Sequence, residues 1–141
     1  MAQFLETIAP EGDWRSMVFT YNLSAPLDHG ELYLLEDTVG VIFVHDKLDP
    51  ATGCQVALTV EFEEDGVLIY QAEKITVPKA AGVALNVGQA VYWDGVSGNG
   101  VTGTWASGLL WIGVVTQVAV AGDARVQIDL HGNHALAESA P

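Results

Sequence analysis

The sequence predicts an all-β protein: a small β-sandwich or barrel of about nine short strands, with an extended N-terminal arm and at most one short helix. Three observations carry this. Between residues 83 and 130, β-branched and aromatic runs (89–94, 109–119, 124–131) alternate with the turn clusters Asp94-Gly95, Gly98-Asn99-Gly100, Ala106-Ser107-Gly108 and Ala121-Gly122-Asp123. Residues 55–62 alternate strictly, with Val56, Leu58, Val60 and Phe62 on one face and Gln55, Ala57, Thr59 and Glu61 on the other. No window of about 11 residues or more has a helical period.

Taken in order, residues 1–16 have no period and carry a turn signal at Ala9-Pro10-Glu11-Gly12-Asp13, so they read as an arm. Phe4, Leu5, Ile8 and Trp14 give it enough apolar surface to dock on a partner or on its own core. Residues 17–25 read as a strand ending at Pro26, followed by a turn through Gly30. Residues 31–35 form a second strand, and 38–45 a third that is apolar on both faces and therefore buried. After a loop at 46–53 come 55–62 and 67–74, read as a hairpin around the acidic turn Glu63-Glu64-Asp65-Gly66. Lys79 to Leu85 is the one candidate helical turn. The runs already named follow, forming a β-rich domain over 17–131, and 132–141 is a frayed Ala-rich tail.

The chain has 141 residues, half of them hydrophobic, which suits one domain with a real core. Its 18 acidic residues face 5 basic ones, for a net charge of −13. Nucleic acid and anionic membranes both need clustered Lys and Arg. Arg15, Lys47, Lys74, Lys79 and Arg125 are too few and too scattered for either. A single cysteine, Cys54, excludes an internal disulfide and a thiolate metal cluster. No secretory leader and no apolar run of about 20 residues is visible.

Candidate chemistry is thin. His131 and His134 sit near Asp129 but lack a third ligand and an orienting shell, so a solvated tail is the preferred reading. The Asp46–Gly53 stretch lacks the ligand spacing of a calcium loop. Glu61, Glu63, Glu64 and Asp65 share one turn rather than facing each other across a cleft. Gly95 to Gly100 is neither a nucleophile elbow nor a phosphate loop. No catalytic, cofactor or metal residue is therefore assigned. Tyr92, Trp93, Trp105 and Trp111 stand out instead, with core packing, interface anchoring and ligand stacking as alternative uses.

In order, the chain shows Asn22-Leu-Ser-Ala-Pro26, Val39-Gly-Val-Ile-Phe-Val44, Ala51-Thr-Gly-Cys-Gln-Val-Ala-Leu-Thr-Val60 and Tyr70-Gln-Ala-Glu-Lys74. Pro78-Lys-Ala80, Val87-Gly-Gln-Ala-Val-Tyr-Trp-Asp94, Trp111-Ile-Gly-Val-Val115 and Ala124-Arg-Val-Gln-Ile-Asp-Leu130 follow. This series resembles the DUF2190 family of tailed-phage capsid decoration (cement) proteins. The resemblance implies a structural protein of the virion, made in the host cytoplasm. It would bind the major capsid protein on the outside of the expanded bacteriophage head as a homotrimer, for head stabilisation against DNA pressure. With no nucleophile–base pair and no convergent acid pair in the sequence, no enzyme activity and no cofactor are expected. The expected capsid or subunit interface comprises Phe4, Leu5, Ile8, Trp14, Tyr92, Trp93 and Trp105. The competing reading is a carbohydrate- or receptor-binding module displayed on a virion. The acidic Glu61–Asp65 turn and the longer N-terminal segment depart from the family pattern.

Overall fold

The computed structural model describes residues 12–44, 51–53 and 58–132. Among them are nine strands and no helix: β1 Trp14–Thr20, β2 Leu27–Asp28, β3 Leu32–Leu35, β4 Thr38–Phe43, β5 Thr59–Val60, β6 Asp65–Pro78, β7 Ala90–Trp93, β8 Leu110–Gln117 and β9 Arg125–His131. Seven form one antiparallel sheet in the order β3-β4-β6-β9-β8-β7, with β1 also on β6, while β2 and β5 pair separately. The all-β expectation is borne out. Phe4, Leu5, Ile8, Cys54 and the tail beyond Gly132 lie outside the described residues.

The 14-residue β6 organises the sheet. Ile69 pairs with both Ser16 and Val41, and Ala72 with both Trp14 and Leu130. A strand has only two edges, so β1 holds one edge and β4 and β9 succeed each other along the other. Gly132 fills the fork between them, donating to the Tyr70 carbonyl and accepting from the Val39 N–H, each at 2.8 Å. A Cβ there would lie 1.6 Å from the Val39 oxygen, so only glycine lets the backbones meet. Beyond the fork, β6 bulges between Ala72 and Ile75. Lys74 takes φ 54° in the bulge, and its N–H donates to Asp129 Oδ1 at 3.0 Å.

Each face of the β4–β6 region has its own core. Val41 and Ile69 join the larger one, with Ile75, Val91, Trp93, Ile112, Ile128 and Leu130. Ile42 and Leu68 point the other way into a smaller one with Phe19, Tyr21, Leu27 and Val60. β4 is therefore buried on both faces, as its unbroken apolar run predicts.

The sheet curls back on itself. Tyr92 and Thr102 exchange backbone hydrogen bonds at 2.8 and 2.9 Å. Val101 then donates to the Pro78 carbonyl and accepts from the Ala80 N–H, both at 2.9 Å. This links β7 back to the end of β6. At the closure, a Cβ on Gly100 would lie 2.3 Å from the Lys79 carbonyl carbon.

Three expectations need correcting. Residues 79–85 are not helical: Lys79 is buried, and its Nζ donates to the carbonyls of Ala80 (2.9 Å), Val83 (2.6 Å) and Ala121 (3.3 Å). That ammonium ties the segment into an open turn. Among the described residues, the expected hairpin of 55–62 with 67–74 does not form either. β5 pairs with β2, β6 takes β1, and the acidic link bonds to Tyr21 through Glu63 N–H and Glu64 C=O. The strand expected at 17–25 instead spans Trp14–Thr20, so β1 includes the last residues assigned to the arm.

Candidate interaction surface

The structure separates the aromatic residues expected at an interface. Trp14 opens β1, is 48% exposed, and its ring lies 6.5 Å from that of Phe43. Trp105 is 45% exposed on the loop before β8. The two exposed tryptophans thus sit on different elements, Trp14 on β1 beside β4 and Trp105 on the loop between β7 and β8. Tyr92 is buried beside Thr102. Trp93 is wholly buried, and its indole N–H donates to the Asn99 carbonyl at 3.1 Å. Trp93 supports any interface only through the fold. Trp111 is half-buried and lies parallel to His131, with centroids 5.8 Å apart and planes at 8°.

Charge divides the molecule. Two of the five basic residues point inward. Lys79 serves three carbonyls, and Arg125 Nη2 donates to Gly30 O at 3.1 Å and Thr76 O at 3.0 Å. Burial pulls the Arg125 pKa down to about 10 and leaves its Nε without a hydrogen-bond partner. Exposed cations among the described residues are thus Arg15 and Lys74. Fourteen of the 18 carboxylates precede residue 75, and from 75 to 122 the only charged residues are Lys79, which is buried, and Asp94, which is exposed.

Parts of that charge-poor stretch, without Lys79 and Asp94, build one end of the curled sheet. Leu85 and Ala119 exchange hydrogen bonds at 2.9 Å. Gly88 donates to Val115 O, and Val115 to Gln89 O, also at 2.9 Å. Gln89 Nε2 reaches Gly103 O at 3.4 Å, and a Cβ on Gly103 would lie 2.7 Å from Leu85 Cδ2. Residues 85–89, 102–105 and 115–121 therefore meet. With Ala119 turned inward, Val118 and Val120 turn outward, and both are exposed together with Val87 and Trp105. The three valines were not singled out from sequence, although Val118-Ala119-Val120 alternates and the stretch has no charge.

A polar cleft of about 640 Å³ lies on the far flank, between β1, β6 and β9, lined by residues including Asp13, Arg15, Gln71, Glu73, Asp129 and His131. No group of three His, Cys, Asp or Glu side chains among the described residues is placed to hold a metal. The groups with displaced pKa values, Tyr21, Glu31, Tyr33 and Arg125, owe the shift first to burial, and none lines this cleft.

A curled all-β sheet with a strongly acidic part, an uncharged apolar end and no converging reactive groups among the described residues has the features of a binding protein. The family model for phage cement protein matches residues 12–130, and the chain belongs to that family. It is a structural component of the phage capsid, as the resemblance in the sequence implies. No curated protein and no solved structure matches the chain.

Proposed function

We propose that this chain binds the outer surface of the expanded head as a homotrimer, contacts the major capsid protein and braces the shell against internal DNA pressure. The observation that carries the reading is the cement-family match across 12–130. The distribution of charge supports it. A surface so poor in exposed cations is directed away from DNA and towards a basic protein patch. Three copies on one trimer would engage the shell together, so each contact can be modest. Phe4, Leu5, Ile8 and Trp14 are assigned to docking on the shell or a neighbouring subunit, and Trp105 to subunit contact. Tyr92 and Trp93, buried on β7, act on an interface only through the fold.

Co-sedimentation with expanded heads lacking the protein, beside unexpanded procapsids, tests the function. Saturable binding to expanded heads alone, with raised resistance to heat rupture, is expected. Binding to neither shell would put the carbohydrate- or receptor-binding module first. Deleting residues 2–11 leaves β1 intact and is expected to weaken sedimentation. Unchanged binding and trimerisation would remove the arm from the interface.

A further inference from the structure

The uncharged end has an assignable occupant. We propose that Val87, Trp105, Val118 and Val120 form the contact between copies of this chain, and that the acidic part of each copy faces away from its neighbours. Each copy carries −13, so a homotypic contact through most of its surface would set carboxylates against carboxylates. Like charges brought together at an interface oppose association, and interface cores are depleted of charge and enriched in aromatic residues. The segments 85–89, 102–105 and 115–121 that build this end carry no ionisable side chain, and the Asp123 carboxylate stands at its rim, accepting from the Val120 N–H at 3.0 Å. It presents three valines at 58–65% exposure and one tryptophan.

The contact also has a firm base. Backbone hydrogen bonds at Leu85, Gly88 and Ala119 fix its segments, and the Lys79 ammonium binds Val83 and Ala121 from beneath. Little ordering would therefore be required on association. A basic capsid patch gains nothing from this uncharged surface, whereas a second copy does.

The inference rests on the trimer reading above, and its test separates the two. Benzoylphenylalanine is placed at position 118 in the full chain and irradiated both in solution and on decorated heads. A covalent adduct between copies is expected. An adduct with the major capsid protein, or no adduct in either setting, overturns the proposal. The same probe at Glu36 is expected to give no adduct between copies, and an equal yield there also overturns it. Val118→Asp with Val120→Asp is expected to weaken self-association at least about tenfold in sedimentation equilibrium. Both side chains are exposed, so the circular dichroism spectrum should be retained. If that folded variant associates as the parent does, the contact lies elsewhere. Head binding is scored separately: loss of sedimentation by the unaltered protein would refute the cement reading while leaving the adduct between copies intact.

Discussion

Lys79 shows how one residue's charge can serve the fold rather than a partner. Its ammonium is buried beneath the closure of the sheet and donates to three carbonyls. Lys79→Met keeps the apolar stem but leaves those acceptors without the donor. A loss of about 2–3 kcal/mol in urea unfolding is expected, since hydrogen bonds to charged groups are strong and orphaned acceptors are costly. A loss near zero would mean that water replaces the ammonium. Glu31 works in the opposite direction. Burial raises its pKa above the ordinary 4.5, the Asp28 N–H at 2.8 Å lowers it, and the Asp28 charge raises it again. A carboxyl raised in the fold holds its proton to higher pH than the unfolded chain does. Its contribution is therefore most favourable below 4.5 and is lost as pH rises through the window above that value. Glu31→Gln is expected to gain a few tenths of a kcal/mol at neutral pH, because solvent screens this partly exposed group. The gain should vanish below 4.5, and a gain that grows on acidification would contradict the sign. Trp93 marks the limit of the sequence at this scale. Ala90, Val91, Tyr92 and Trp93 are all apolar, so the period-two pattern does not show which pair faces the core. The choice follows from pairing of β7 with β8 and from the Asn99 carbonyl that receives the indole N–H.

At the scale of elements, strands were legible because their periods are local, whereas partners were not. The runs at 89–94, 109–119 and 124–131 became β7, β8 and β9 with small changes at their ends. The acidic link between β5 and β6 resembles a hairpin turn in sequence, yet β6 pairs with β1 and β4 across long separations. Those pairings place Leu68 and Ile69 in two cores, an outcome that depends on surfaces distant in the chain. The β6 bulge is the least visible feature, because a lysine at positive φ has no sequence signal. It has a direct test. Lys74→Gly is expected to stay within about 0.5 kcal/mol of the parent, with relieved strain set against a freer unfolded chain. Lys74→Val should lose about 1–3 kcal/mol, since a β-branched residue is strained at this φ. Equal stabilities by urea titration would show that the bulge relaxes. Gly132→Ala is the sterner change. The new methyl would meet the Val39 oxygen and part β4 from β9, with an expected loss of about 3 kcal/mol.

Over the whole molecule, the cations withdrawn inside sharpen an asymmetry already present in the sequence. Lys79 and Arg125 bond to backbone carbonyls, so they do little to balance carboxylates at the surface. The charge-poor stretch from 75 to 122 was readable from sequence, but its gathering at one end depends on the Leu85–Ala119 and Gln89–Gly103 contacts. A consequence follows for salt. Copies that meet through an uncharged end still repel through the rest of their −13 charges. The screening length falls from roughly 30 Å at about 0.01 M to roughly 8 Å at about 0.15 M ionic strength. Self-association should therefore strengthen several-fold over that range, as read by sedimentation equilibrium. Attachment to a basic capsid patch should move the other way, because salt screens attraction there. The contrast separates the two surfaces within one titration series. If salt weakened self-association, ion pairs would be holding the copies together, and Arg15 and Lys74 would become the residues to examine.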